Sequence, residues 1–119
     1  MSDRVELLSE SRPIRALVVD DHPLFCDALT LTLQSISDFE EIRSAGTLEK
    51  ALEIAAQGEA PDLVILDLNL PDVHGLDGLV RMRNAAPRAA ILIASSMADN
   101  RMISHALKAG ANGFVPKHS

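Results

Sequence analysis

The chain has 119 residues, 47% hydrophobic and 24% charged, which suits a single soluble globular domain built around one core. Its net charge of −6 and eleven scattered basic residues disfavour direct nucleic-acid binding, which needs a basic face. No apolar stretch is long enough to span a bilayer, the N-terminus does not resemble a secretion signal, and the single cysteine, Cys26, excludes an internal disulfide and fits a reducing cytoplasm.

Residues 1–13 are polar and mixed in charge and read as a flexible leader ending at Pro13. From Ile14 onward, strand-like and helix-like segments alternate. Strands are predicted at 14–20, 41–45, 62–67, 89–95 and 112–115, and helices at 23–36, 47–58, 75–86 and 99–109. Pro23 suits the first turn of a helix whose apolar face is Phe25, Leu29, Leu33 and Ile36. Thr47 is positioned to cap the second helix, which carries Leu48, Ala51, Leu52 and Ala55 and ends at Gly58. Gly75 opens the third, with Leu76, Leu79, Val80 and Arg83 on one side. Asp99 caps the fourth, which carries Met102, Ile103, Ala106 and Leu107 and stops at Gly110.

Strict β-α alternation predicts an α/β fold with a parallel, doubly wound sheet. Two of the predicted strands end in acid. Leu17-Val18-Val19 runs into Asp20-Asp21, and Leu63-Val64-Ile65-Leu66 runs into Asp67. The carboxyl ends of strands are where open α/β sheets place their ligand sites. A strand order of 2-1-3-4-5 makes these two strands neighbours, so that three carboxylates converge on one crevice. Like charges that close are costly unless a cation neutralises them, so the pattern points to a divalent metal site.

Two further elements fall on the same edge. They are Ser95-Ser96 after Ile91-Leu92-Ile93-Ala94, and Lys117 after Gly113-Phe114-Val115-Pro116. With the acidic pair, the Asp-Leu-Asn-Leu-Pro run from Asp67 and the glycine at 75, the sequence from Ile14 to Ser119 resembles the receiver domain of two-component response regulators, which has a flavodoxin-like fold. The Asp-Asp-His-Pro-Leu-Phe stretch and the Gly-Phe-Val-Pro-Lys ending are most similar to receivers of the NarL/LuxR-type transcription regulators.

The resemblance implies a phosphorylation-controlled signalling module rather than an enzyme with an external substrate. Asp67 would be the phosphoacceptor, taking its phosphoryl group from a histidine kinase or a small phosphodonor. Mg²⁺ would be held by Asp21, Asp67 and the Asn69 backbone carbonyl, with Asp20 acting mainly through a bound water. Lys117 and Ser95 would each meet a phosphoryl oxygen. Ser95 and Phe114 would form the switch that alters the surface of the fourth helix and fifth strand. An output by transcription would need a DNA-binding domain beyond this segment.

Singly, each residue has an ordinary reading. Asp20 could cap a helix, Ser95 end a strand, Lys117 be a solvated charge and Phe114 fill the core; the combination changes the first three. His22 reads as a loop or helix-start residue rather than a ligand, because oxygen suits Mg²⁺ better. Cys26 reads as inert packing. Ser96 and Met97 would flank the approach to Asp67.

Two other classes compete. An aspartate-nucleophile phosphatase usually carries a second acid two residues after its nucleophile, where this chain has Asn69. A flavodoxin-like nucleotide-binding domain wants a Gly/Ser/Thr phosphate cradle after strand one, where this chain has Asp-Asp-His-Pro. A helix is also expected after strand five, yet the chain stops two residues beyond Lys117. The expectation is a shortened receiver whose open sheet face is covered by a second copy, giving a homodimer through the first-helix side, or by Val5, Leu7 and Leu8 of the leader.

Overall fold

The computed structural model describes residues 14–96 and 100–117. Five strands and four helices alternate: β1 (Ile14–Val19), α1 (Pro23–Ile36), β2 (Phe39–Ala45), α2 (Leu48–Ala56), β3 (Leu63–Asp67), α3 (Asp77–Ala85), β4 (Ala90–Ser95), α4 (Asn100–Lys108) and β5 (Gly113–Pro116). The strands form one parallel sheet in the order β2-β1-β3-β4-β5. The architecture is the one the acid pattern implied.

The central strands are apolar on both faces, and alternate residues feed two cores. Leu17, Val19, Val64, Leu66, Ile91 and Ile93 pack with α2, α3 and α4 through Leu48, Ala51, Leu79, Met82 and Ala106. Ala16, Val18, Ile65 and Ala94 face the other way, against Cys26 and Leu33 of α1. On that second face Ile65 and Ala94 are buried, so the sheet is more closed than its single described helix suggests. Its margin is softer, with Leu63, Leu92 and Val115 half-buried.

Several expected boundaries and faces move. β2 starts at Phe39, earlier than expected, and β5 runs one residue later. Gly75 is not helical; its φ of 57° places it in a turn, and α3 begins only at Asp77. Likewise α2 ends at Ala56, before Gly58, whose φ is 68°. Ile36, Val80 and Leu107 are exposed rather than core; Leu33 and Ala106 of the expected faces are buried, and so is Met82, which lay outside them. The helical spacing was right, but the arc buried on each short helix is narrower than its apolar arc. Thr47 does cap α2, accepting a hydrogen bond from the Lys50 N–H at 3.1 Å. Asp99 and Met97, and the leader with Val5, Leu7 and Leu8, lie outside the described residues.

Arg83, expected with Leu76, Leu79 and Val80 on one side of the third helix, pins the far end of the sheet. Its guanidinium donates to the carbonyls of Ala89 and Gly110, both at 2.7 Å, and to Asn112 Oδ1 at 2.7 Å. The same Asn112 oxygen accepts from the Ile91 N–H at 2.8 Å. One planar, five-donor group thus ties the end of α3 to the α4–β5 turn. Arg83→Met should lower stability by about 1–3 kcal/mol, because several part-buried carbonyls lose their donor together. The exposed Arg88→Met should stay within about 0.5 kcal/mol of wild type. Urea unfolding of the two variants checks this, and equal effects would contradict the pinning role.

Candidate functional site

Sheet register builds the site. β1 pairs with β3 so that Val19 lies opposite Leu66, and the next residue on each strand is an acid, Asp20 and Asp67. β3 pairs with β4 so that Asp67 lies opposite Ala94, which puts Ser95 one residue beyond. β4 pairs with β5 with Ser95 opposite Pro116, leaving Lys117 just past the edge. Parallel pairing brings residues far apart in sequence to one rim.

Asp20, Asp67 and Ser95 are the buried polar residues of the described chain, at 3%, 1% and 2% exposure. The Asp67 carboxylate is divided between two partners. Oδ1 accepts from the Asn69 N–H at 3.0 Å, and Oδ2 faces Lys117 Nζ at 3.4 Å. Lys117 Nζ also lies 2.8 Å from Asp20 Oδ2, so one ammonium bridges both buried acids. Its own seat is the ring of Phe25, 5.0 Å from the centroid. Burial would lower the Lys117 pKa, but the hydrogen bond its ammonium donates to Asp20 and the charges of Asp67 and Asp20 outweigh it and raise it. Lys117 is therefore a fixed cation of the pocket.

One cation does not satisfy the cluster. Asp20 Oδ2 is buried, and the partner the structure gives it is the Lys117 ammonium at 2.8 Å, which it shares with Asp67. Asp21 sits beside it, exposed at the pocket mouth. Ligand atoms of Asp20, Asp21, His22 and Asp67 all lie within 4.8 Å of one another. Carboxylate oxygens at this density, with a single ammonium among them, fit a hard divalent ion.

His22 is the N-cap residue of α1, a place the sequence also offered to Asp20. Its backbone N–H donates to Asp20 Oδ1 at 2.8 Å, so Asp20 braces the start of the helix from two residues further back. Cys26 Sγ contacts the Asp20 carbonyl at 3.4 Å. Burial, then the negative charges of Asp20 and Asp27, pushes the Cys26 thiol up, as inert packing requires. Phe114 is half-buried, packed against the α2–α4 core and lining a small apolar void with Leu68, Ile93, Met102 and Ala106.

The loop after Asp67 is fastened rather than free. Leu68, Leu70 and Val73 are buried in the larger core, while Asn69 between them faces solvent. Asp72 reaches across to the start of α2, where its carboxylate accepts from the Leu48 N–H at 2.9 Å and the Glu49 N–H at 3.0 Å.

A model of the response regulator receiver domain matches residues 16–119. The chain belongs to the receiver-domain family. Relatives of this receiver domain include the glycerol metabolism activator of Pseudomonas putida, 37% identical over 105 residues covering 88% of this chain and 48% of that protein. The nitrate/nitrite response regulator protein NarL of Escherichia coli is 30% identical over 110 residues, covering 92% of this chain and 50% of that protein. The receiver thus spans about half the length of these relatives, which include NarL/LuxR-type regulators. A response regulator from Burkholderia pseudomallei, solved with a phosphorylated aspartic acid, calcium and citrate, superposes with a TM-score of 0.77 at 25% identity, covering 89% of this chain and 61% of that one. The CheX–CheY–BeF3–Mg²⁺ complex of Borrelia burgdorferi gives a TM-score of 0.81 at 25% identity, covering 90% and 80%. No helix among the described residues is long and apolar enough to cross a membrane.

The Asp72 bridge was invisible in the sequence, and it carries a pH signature. The Leu48 N–H foremost, against a smaller opposing effect of burial, and then the Glu49 N–H hold its carboxyl below the ordinary range. A depressed folded pKa gives stability that is complete above the unfolded value of about 3.9 and is lost as pH falls through the lower folded value. Asp72→Ala should therefore cost about 0.5–2 kcal/mol at neutral pH, as loss of a helix cap does. The gap from wild type should narrow once pH drops below about 4. Urea titrations of both proteins at neutral and acid pH measure it, and a gap independent of pH would exclude a charged cap.

Proposed function

We propose that Asp67 is the phosphoacceptor of this receiver, and that a histidine kinase or small phosphodonor supplies the phosphoryl group. The observation that carries this reading is a buried carboxylate whose Oδ2 faces a fixed lysine at 3.4 Å inside a cluster of cation ligands. The Asn69 N–H orients the carboxylate through Oδ1, leaving Oδ2 to form the new O–P bond while the donor's N–P or O–P bond breaks. Lys117, already poised beside Oδ2, offsets the charge that arrives with the phosphoryl oxygens. Asp20, Asp21, Asp67 and the Asn69 carbonyl would hold Mg²⁺, whose chemistry when bound is to relieve repulsion between the carboxylate and phosphoryl oxygens. The module would promote only its own phosphorylation and dephosphorylation.

Ser95, buried at the end of β4, would give its hydroxyl to a phosphoryl oxygen, and Phe114 would turn inward in response, changing the α4–β5 surface. Leu24, 83% exposed on the first turn of α1 beside the acids, suits contact with a kinase helix. Relatives whose names describe transcriptional regulators and a DNA-binding transcriptional activator support an output by transcription through a DNA-binding domain outside this segment. The half-buried margin of Leu63, Leu92 and Val115 supports a homodimer on the α1 side of the sheet.

Incubation with acetyl phosphate and Mg²⁺ should add one phosphoryl group to the wild-type protein, located at Asp67 by mass spectrometry of reduced and cleaved peptides. Asp67→Asn should take up none, and stable modification of that variant would refute the assignment. In a Mg²⁺ titration followed by NMR, Asp21→Ala should bind at least about tenfold more weakly, since a direct oxygen ligand is lost. Equal affinity in the two proteins would remove Asp21 from the site.

A further inference from the structure

A cleft that the phosphoacceptor reading leaves unused opens between the segment after β3 and helix α4. It holds about 330 Å³ and is lined by Leu68, Asn69, Leu76, Arg101, Met102 and His105. That volume is at the lower end of what small organic ligands occupy, on the order of 300–1,000 Å³. Its floor is apolar: Leu68 is buried, and Leu76 and Met102 are half-buried against the larger core. Its rim is basic. Arg101 and His105 are exposed and stand one turn apart on α4, so both reach the same opening.

Charge selects the occupant. No acidic side chain lines the cleft, although the chain carries 17 acidic residues against 11 Lys and Arg. Elsewhere the chain answers its own bases: Arg15 pairs with Glu40 and Glu41, and Lys117 with Asp20 and Asp67. Among the described residues neither Arg101 nor His105 has such a pair. Arg101 is a permanent cation whose planar fork matches a carboxylate, and a histidine ring offers an N–H in either tautomer. One fixed charge balances one negative charge, which argues against a polyphosphate. Three apolar side chains beneath it call for an apolar body rather than a sugar or a bare inorganic ion.

We propose that this cleft binds a small organic monoanion, with a flat apolar body on Leu68, Leu76 and Met102 and a carboxylate between Arg101 and His105. The site needs neither a metal nor a phosphoryl group, so it goes beyond the phosphoacceptor reading and does not depend on it. Its position gives occupancy a consequence. Leu68 belongs to the fastened segment next to Asp67, whereas Met102 is on α4 and also borders the void beside Phe114. A ligand touching both ties α4 to the fixed wall and slows its local opening.

The experiment titrates 1-naphthoate into the full chain, without Mg²⁺ or phosphodonor, by calorimetry and by NMR of backbone amides and methionine methyls. The wild type should bind it, with shifts at Asn69, Leu76, the α4 amides and the Met102 methyl, and with slower hydrogen exchange in α4. Neutral 1-naphthamide, the same body without the charge, should bind about tenfold more weakly, and so should 1-naphthoate to Arg101→Gln. His105→Gln should cost about threefold. Arg101→Lys keeps the charge without the fork and should recover part of the affinity. Both positions are exposed, and melting curves report that the substitutions leave the fold intact. No saturation by about 10 mM, equal affinity for acid and amide, unchanged affinity in Arg101→Gln, or shifts confined to the sheet margin at Leu92 and Val115 would each overturn the proposal. So would sedimentation of a wild-type dimer that Arg101→Gln dissociates, since the cleft would then belong to a second copy of the chain.

Discussion

Everything at the functional rim follows from carboxylates forced together by parallel strand register. β1 and β3 are neighbours, and each ends in an acid at the same level, so Asp20 and Asp67 cannot avoid one another. Both are buried, which weakens the screening that water would supply. Lys117 is delivered to them by the shortest strand, β5, which has no fully buried residue. Its ammonium rests on Phe25 of α1, so the first helix and the last strand jointly place one charge. The fold holds a charge imbalance that additional cations or a changed acid can alter, and that is the property a phosphorylation switch requires.

Much of this was legible because the signals were local and repeated. Apolar runs such as Val64-Ile65-Leu66 end abruptly in acid, and the strand order was inferred from the need to bring two such ends together. Thr47 was readable as a cap because capping depends on residues three apart. Asp67, Asp20, Asp21 and Lys117 do share one rim, as the combined motif implied. Ser95 is on that rim and buried, and the resemblance gave its role.

What stayed hidden depends on distance or on the depth of packing. Asp72 caps a helix 24 residues earlier in the chain, and no spacing rule reports such a reach. Arg83 fell on the side of α3 with Leu76 and Leu79, but the carbonyl it holds in the α4–β5 turn is 27 residues away. Ile36, Val80 and Leu107 belong to apolar stripes, but periodicity gives the direction of a face and not the angle of it that a neighbour covers. His22 was set aside as a helix-start residue, and it is one; its ring enters the pocket because the cap position turns the chain toward Asp20.

The fastening of the segment after Asp67 has a mechanical corollary. Leu68, Leu70 and Val73 are sunk in the core, and Asp72 clamps the segment to α2. On the opposite side of the pocket, Phe114 is only half-buried and borders an apolar void beside α4. The site therefore resembles a vice with one fixed jaw and one sliding jaw. A group added at Asp67 would meet the buried and clamped segment on the α2 side and the half-buried Phe114 with its neighbouring void on the β5 side, so packing density alone makes the two sides unequal.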